Sequence, residues 1–279
     1  MKKSPFRFSN EEKIELSASE LISANSENFP VGSFLIPRDF RPHVHAFYVF
    51  ARHADDIADS QELSEKSKLD MLHLVQNNLS KDSEGLPKWA IPYQNSLRQT
   101  GNSPRNGVDL LSAFIQDATK TRYNTWGELI DYCMHSAAPV GRALIEIHRE
   151  SKADISKSDA LCCALQILNH MQDCRSDYLS LNRVYLPEPW FKEAGGSVAD
   201  LGLSEASPAV RNVLDRCLVK TEQLLTKAEG LPKSIDRRGL RLETAVILKL
   251  AWALAFKLHH HDPLSCNVKV GRVGWVING

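Results

Sequence analysis

The chain has 279 residues, and its 34 Lys and Arg balance 34 Asp and Glu. Hydrophobic residues make up 43% and charged residues 24%, which is ordinary for a globular protein. A net charge of zero creates no overall field that would attract nucleic acid, and we expect no nucleic-acid partner. The six cysteines form no C-x-x-C pair, which favours reduced thiols over disulfides or a zinc site.

Helical patterns follow one another along the chain, whereas strand patterns are nearly absent. Thr125-x-x-Glu128 and Ser156-x-x-Asp159 predict capping boxes. The predicted helices cover residues 10–24, 39–60, 64–80, 87–100, 107–120, 126–151, 157–180, 206–229 and 236–261. The breaks are too short for an interdomain linker. We therefore expect one all-α domain over residues 1–279, with its core at about 25–262.

The longest apolar stretch is residues 242–258, and three charged residues interrupt it. A membrane-spanning helix needs about 20 mostly uncharged residues, so we interpret this stretch as a buried helix. The N-terminus has no apolar core of the signal-peptide type. These observations predict a cytoplasmic protein.

An acidic segment, FYVFARHADDIADS, spans residues 47–60. At 100° per residue, one side of this helix carries a polar line. The line consists of Tyr48, Arg52, Asp55 and Asp59. Asp56 lies off it, and phenylalanines and alanines occupy the opposite side as a candidate core face. Taken alone, such a cluster fits a solvated surface as well as a functional site.

A second polar line lies in residues 165–187. It again holds an i, i+4 pair, Asp173 and Asp177, with Gln166, Asn169 and His170 on the same side. If the two lines face each other, four carboxylates converge, and buried unpaired charge is costly. Magnesium compensates it well, because it takes oxygen ligands and keeps positions for water and substrate phosphate. A di-iron bundle would require Glu-x-x-His on paired helices, which the sequence lacks.

The segment HSAAPVGRAL interrupts a long helical pattern with Pro139 and Gly141. Proline inside a helix removes a hydrogen bond and kinks the chain. The small residues around it fit close packing between helices. They also fit the wall of a deep apolar tunnel, and both interpretations can hold together.

Four blocks resemble the squalene/phytoene synthase family of isoprenyl diphosphate synthases. They are NSENFPVGSFLIPRDFRP, FYVFARHADDIAD, YCMHSAAPVGR and LNHMQDCRSDYLSLNRVYLP. Within the family, SENFPVGS and YCMHSAAPVGR look most like the hydroxysqualene synthases of bacterial hopanoid biosynthesis, the HpnC type. The resemblance covers residues 25–258 and implies an isoprenoid-synthase helical bundle around a central apolar cavity.

The resemblance also implies roles for individual residues. Two or three Mg²⁺ ions, bound together with the diphosphate, would be held by Asp55, Asp59, Asp173 and Asp177. Contacts to the diphosphate and the prenyl chain would come from Ser26, Asn28, Tyr48, Arg52, Gln166 and Asn169. Tyr48 and Arg52 would also act in catalysis, with Arg52 and Asn169 orienting the diphosphate. Arg183 and Tyr185 belong to a segment that would close over the site.

Three positions depart from relatives that condense two farnesyl diphosphates. Gln172 stands where such relatives often have arginine, and Asn25 and Glu27 stand where they have histidine and lysine. The lost cations suit a substrate with one diphosphate, although neutral drift would look the same.

The resemblance thus implies a lyase that ionises presqualene diphosphate and lets water capture the rearranged cation, giving hydroxysqualene without NADPH. The alternatives are a prenyltransferase that makes presqualene diphosphate, squalene or phytoene from prenyl diphosphates such as farnesyl diphosphate, and a non-catalytic scaffold. A scaffold would not need both Asp pairs. The lipophilic substrate argues for peripheral contact with the inner membrane face, and other enzymes of the pathway are candidate partners.

Overall fold

The computed structural model describes residues 36–81 and 85–270, and α-helices dominate these ranges. In chain order they are α1 (Arg41–Asp59), α2 (Glu65–Asn78), α3 (Ile91–Thr100), α4 (Arg105–Asp117), α5 (Trp126–Ser136), α6 (Ala138–Ile147), α7 (Ile155–Gln172), α8 (Cys174–Leu181), α9 (Glu188–Glu193), α10 (Pro208–Ala228) and α11 (Arg238–His260). Two 3₁₀ helices cover Val198–Gly202 and Leu231–Ser234. No strand forms in the described ranges, where an isolated bridge pairs Arg122 with Val184. The all-α prediction is confirmed. The helix predicted at 10–24 lies outside these ranges.

The two predicted helix starts at 125 and 156 have different outcomes. Thr125 caps α5 by accepting a hydrogen bond from the backbone N–H of Glu128 at 3.1 Å, while the Glu128 carboxylate accepts from the N–H of Asn124 at 3.2 Å instead of that of Thr125. The second capping box is wrong, because α7 begins one residue earlier than Ser156. Its cap is Asp154, which accepts from the N–H of Lys157 at 3.2 Å. Asp159 instead binds Arg142 through two hydrogen bonds of 2.8 Å.

Two of the predicted long helices are each divided in two. The helix predicted at 126–151 breaks at Ala137, and Pro139 stands in the first turn of the new helix, where its missing N–H costs nothing. The helix predicted at 157–180 breaks at Asp173, whose backbone has φ −100° and ψ 7°. The Ser176 hydroxyl donates to the Asp173 carbonyl at 2.9 Å, a local bond that competes with the regular helix. The short helix α9 was not predicted.

The apolar core has two main parts. One lies among α7, α10 and α11, with Ile167, Leu168, Leu218 and Leu254 fully buried. The other lies among α1 to α4. Its buried members include Phe50, Leu72, Leu79 and Leu111. The second cluster buries the phenylalanine side of α1, so the polar line of that helix is turned away from it.

Gly141 marks a close crossing of α6 and α7. A Cβ atom at this position would lie 2.5 Å from the Ser158 Oγ and 2.7 Å from the Cys162 Sγ. Both distances are shorter than side-chain contacts allow. The small residue therefore serves helix packing here, and the tunnel-wall interpretation of this segment stays a prediction.

The apolar stretch at 242–258 lies within α11. This helix buries Leu248, Ala251, Leu254 and Leu258 in the core. Within the described ranges, none of the helices combines the length and the hydropathy that crossing a membrane requires. All six cysteines lie in those ranges, and each is a free thiol.

Candidate active site

Helix α1 presents the first polar line. Its core face, with Phe47, Phe50, Ala54 and Ile57, is buried. On the other side, Asp55 and Asp59 are half-buried, and Arg52 is exposed. The half-buried Tyr48 lies one turn before Arg52. The amphipathic pattern thus sets which side of the helix is polar.

The second polar line survives the break between α7 and α8. Although the helix is interrupted at Asp173, the N–H of Asp177 still donates to the Asp173 carbonyl at 2.8 Å. The two carboxylates are therefore one helical turn apart, as a continuous helix would place them. Asn169 and Gln166, which lie on α7 one and two turns before Asp173, are half-buried.

The end of α1 meets the end of α8. The Arg183 Nη1 binds the Asp59 Oδ1 at 2.8 Å, and the backbone N–H of Arg183 donates to the Asp177 carbonyl at 3.1 Å. The Gln61 side chain also donates to the Ser180 carbonyl at 3.1 Å. The structure thereby brings Asp59 of the first pair close to Asp177 of the second. We call the region of Asp55, Asp59, Asp173 and Asp177 the acidic cleft.

The electrostatics of the acidic cleft show that its carboxylates repel one another. Burial, and then the neighbouring charge of Asp59, raise the pKa of Asp55 to about 7. Burial, and then Asp173, raise the pKa of Asp177 to about 7, and the charge of Asp59 acts in the same direction. Since Asp59 and Asp177 belong to different pairs, this effect links the two sides of the cleft. Arg52 and Arg183 offset only part of the negative charge.

The donor set of the acidic cleft fits magnesium better than a metal caged by protein. Between residues 36–81 and 85–270, no group of three or more His, Cys, Asp or Glu side chains is arranged to hold a metal ion by itself. Magnesium is commonly held by one or two carboxylates and completes its octahedron with water and substrate phosphates. Two neighbouring carboxylate pairs whose charge is only partly offset by arginine meet that requirement.

Asp117 is a buried residue of the site that the sequence analysis missed. Its carboxylate accepts hydrogen bonds from the hydroxyls of Tyr132 at 2.7 Å and Tyr185 at 3.1 Å. Its backbone carbonyl accepts from the Arg183 Nη2 at 3.0 Å. Burial raises its pKa to about 6, while Arg183 and the Tyr132 hydroxyl limit the rise. The sequence did contain a signal that Asp117 is buried, because its spacing continues the stripe of Leu110, Ala113 and Phe114 on α4.

Arg183 and Tyr185 are both buried, and the closing role predicted for their segment stays a prediction. The Arg183 Nη1 donates both to Asp59 and to the Tyr185 hydroxyl, the latter at 3.1 Å. The backbone N–H of Val184 donates to the Thr121 carbonyl at 2.9 Å, which anchors the segment to the loop before α5. Arg183 therefore connects the acidic cleft to the tyrosines around Asp117.

The remaining predicted residues are distributed as follows. Arg52 forms ion pairs with Asp55 at 3.4 Å and Asp56 at 3.0 Å. Gln172, which replaces the arginine of some relatives, donates to the backbone carbonyl of Val268. Ser26 and Asn28, together with the departures at positions 25 and 27, lie outside the described residues.

Comparison with known proteins identifies the family. The sequence pattern of the squalene/phytoene synthase family matches residues 22–275. The chain belongs to this family. It is 44% identical over 264 residues to the hydroxysqualene synthase of Rhodopseudomonas palustris, covering 94% of this chain and 90% of that protein. It is 40% identical over 262 residues to the hydroxysqualene synthase of Zymomonas mobilis, covering 91% and 86%.

A solved structure agrees with the fold. The squalene synthase HpnC of Alicyclobacillus acidocaldarius superposes with a TM-score of 0.72 at 26% sequence identity, covering 86% of this chain and 91% of that one. The predicted resemblance to the family and to its hydroxysqualene synthases is confirmed. The chain is thus an enzyme of the squalene/phytoene synthase family with an isoprenoid-synthase helical fold. The roles of its individual site residues stay predictions.

Proposed function

We propose that this enzyme is a hydroxysqualene synthase that ionises presqualene diphosphate with Mg²⁺ and adds water to the rearranged cation. The observation that carries the proposal is the acidic cleft, in which two facing aspartate pairs repel one another. The relatives named hydroxysqualene synthase, at 40% and 44% identity, support the choice of reaction. We classify the reaction as that of a carbon–oxygen lyase.

The residues of the acidic cleft would hold the metal and the leaving group. Asp55, Asp59, Asp173 and Asp177 would supply carboxylate oxygens to Mg²⁺. When bound, Mg²⁺ supplies Lewis-acid stabilisation of the negative charge on the departing diphosphate. Arg52 projects from the same side of α1 and would orient the diphosphate through hydrogen bonds that a guanidinium donates to phosphate oxygens.

Further contacts follow from the same placement. Tyr48 lies on the side of α1 that carries Asp55 and Asp59, and Gln166 and Asn169 lie on the side of α7 that leads to Asp173. These three residues would bind the diphosphate or the start of the prenyl chain. Ser26 and Asn28 are proposed for the same role on the family resemblance alone. We also propose that the whole chain, residues 1–279, forms one domain whose apolar cavity encloses the C30 chain.

A nicotinamide cofactor has no place in this reaction. Water rather than hydride would react with the carbocation, so the proposed enzyme needs no NADPH. Condensation of two prenyl diphosphates is the second candidate, because the superposed Alicyclobacillus acidocaldarius protein is called a squalene synthase. Since substrate and product are lipophilic, we further propose that the enzyme works at the cytoplasmic membrane surface beside other enzymes of the pathway.

One experiment separates these functions. The purified protein is incubated with Mg²⁺ in oxygen-18 water, with presqualene diphosphate or farnesyl diphosphate in separate reactions, each with and without NADPH. We expect labelled hydroxysqualene from presqualene diphosphate alone, in equal yield with and without NADPH. Squalene formed only with NADPH, or products only from farnesyl diphosphate, would contradict the proposal.

Asp59→Asn and Asp56→Asn provide matched variants for the same assay. Both remove one carboxylate from α1, but Asp56 is exposed and lies off the polar line. We expect Asp59→Asn to lose most turnover and Asp56→Asn to keep it. Equal losses in both variants would show that the acidic cleft has no special role.

A further inference from the structure

His170 is a buried polar residue that the mechanism above does not use. It lies on α7, one residue after Asn169 and one turn before Asp173, and its exposed fraction is 7%. Its ring stacks on the ring of Tyr185, with centroids 3.6 Å apart and planes 16° from parallel. Tyr132 lies on the same cluster, with its ring centroid 5.9 Å from that of His170.

The Nε2 atom of His170 has no hydrogen-bond partner in the part of the chain that the structure describes. Buried polar atoms in proteins are nearly always hydrogen-bonded, so an unpartnered one calls for a ligand or a bound water. The hydroxyls of Tyr132 and Tyr185 cannot donate a hydrogen bond to His170, because both already donate to Asp117. The nitrogen is thus available to a small polar molecule in the site.

The imidazole of His170 is neutral at neutral pH. Burial, and then the charge of Arg183, lower its pKa to about 3. A neutral imidazole has one nitrogen that donates a hydrogen bond and one that accepts. Such a group can hold a water molecule without adding a positive charge beside a carbocation.

The position of His170 connects it to the acidic cleft. Its stacking partner Tyr185 accepts a hydrogen bond from Arg183, and the same guanidinium nitrogen binds Asp59. His170 also shares its side of α7 with the line that leads to Asp173. The buried ring is therefore connected to Asp59 through Tyr185 and Arg183.

We infer that His170 is a water-binding residue of this site, and that its Nε2 holds the water whose oxygen becomes the hydroxyl group of the product. This inference rests on the proposed hydroxysqualene synthase function. It adds a residue that determines which product forms, because a held water captures the cation before a proton is lost.

The reaction step is balanced without any further reagent. The carbon–oxygen bond to the diphosphate breaks, and its electron pair leaves with the diphosphate. The cation rearranges, and a lone pair of the held water forms the new carbon–oxygen bond. One proton of that water passes to the departing diphosphate, which is a stronger base than the imidazole. No atom is oxidised or reduced by an external partner, and His170 leaves the step unchanged.

The test separates product choice from ionisation. His170→Phe keeps a ring to stack on Tyr185 but removes the polar nitrogens, and His170→Gln restores a polar group that can hold water. His148→Phe is the matched control, because the His148 Nε2 is also buried without a hydrogen-bond partner among the described residues. Each variant is incubated with presqualene diphosphate and Mg²⁺ in oxygen-18 water. Diphosphate release and the share of labelled hydroxysqualene are both measured, and thermal melting checks the fold.

We expect His170→Phe to release diphosphate at a rate near that of the native protein. Its ratio of hydroxysqualene to products of proton loss should fall by about fivefold, the preference that one hydrogen bond of ordinary strength maintains. His170→Gln should recover most of this ratio, and His148→Phe should leave it unchanged.

Three results would overturn the inference. They are an unchanged product ratio in His170→Phe, an equal change in His148→Phe, and a loss of diphosphate release in both His170 variants. The last would show that the residue supports folding or ionisation. Failure of the native protein to make labelled hydroxysqualene would instead refute the proposed function, and is therefore a distinguishable outcome.

Discussion

Replacing Asp55 with asparagine should stabilise the metal-free protein while it removes activity. The carboxyl of Asp55 has its pKa raised to about 7 by burial and by Asp59. A carboxyl that is harder to ionise in the folded chain than in the unfolded chain destabilises the fold once it is charged. The asparagine side chain of the Asp55→Asn variant has the same shape without the charge, so this cost should disappear.

The magnitude follows from the pKa change. A rise from the ordinary value of 3.8 to about 7 corresponds to at most about 4 kcal/mol at pH 8. The Asp55 side chain is 36% exposed, and water screens its charge. We therefore expect a gain in the free energy of unfolding of about 1–2 kcal/mol, or about 2–6 °C in melting temperature.

The pH dependence has a definite sign. The folded-state pKa is the higher one, so the cost of charging Asp55 is absent below its unfolded value of 3.8 and grows as pH rises towards about 7. The stabilising effect of Asp55→Asn should thus be full at pH 8 and reduced to about two fifths at pH 5. Melting of both proteins at the two pH values, in buffer with chelator, measures it.

The control and the ligand complete the test. Asp56→Asn removes an exposed carboxylate that pairs with Arg52, and it should change stability by less than about 1 kcal/mol. Mg²⁺ with inorganic diphosphate should raise the melting temperature of the native protein by mass action, and raise that of Asp55→Asn less. A metal-free Asp55→Asn that melts below the native protein, or an equal ligand effect in both, would refute the reasoning.

Three further substitutions test other parts of the structure. Asp117→Asn should lower turnover by about 10–100-fold in the presqualene diphosphate assay, because it weakens the group that positions two tyrosines; unchanged turnover would contradict this role. Gly141→Ala should cost about 1–3 kcal/mol in thermal or urea unfolding, since its Cβ would meet the side chains of Ser158 and Cys162. The cost of Gly141→Ala should be smaller in a protein in which Ser158 and Cys162 are both replaced by alanine. An equal cost in that background would argue against the clash. Burial raises the pKa of Glu243 to about 7, so Glu243→Gln should stabilise by about 1–3 kcal/mol at pH 8 and little at pH 4, and a gain independent of pH would exclude this cause.

The fold was predictable where periodicity alone decides the outcome. The helical patterns located α1, α2, α10 and α11 to within about two residues, because each has one buried side and clear end signals. The breaks at Ala137 and Asp173 were harder to place. A proline signals a kink but not the residue at which hydrogen bonding stops, and nothing in the local sequence at Asp173 breaks a helix.

The acidic cleft was half predictable. An i, i+4 spacing places two carboxylates on one side of a helix, so each pair could be recognised separately. That the pairs face each other depends on how α1 meets α8, and only the family resemblance indicated it beforehand. Asp117 escaped notice because its importance comes from tertiary contacts with Tyr132, Tyr185 and Arg183, which lie 15 or more residues away along the chain.

Arg183 gives a physical reason why the acidic cleft and the tyrosine cluster should act together. One guanidinium donates to the Asp59 carboxylate, the Tyr185 hydroxyl and the Asp117 carbonyl, which lysine could not do with the same fixed geometry. A cation held by Asp59 would compete with Arg183 for this carboxylate. The guanidinium would then have a hydrogen-bond donor that a departing diphosphate could accept. Its other donors still hold Tyr185, on which His170 stacks. Departure of the leaving group would thereby be connected, through the buried side chain of Arg183, to the ring that we propose holds the water.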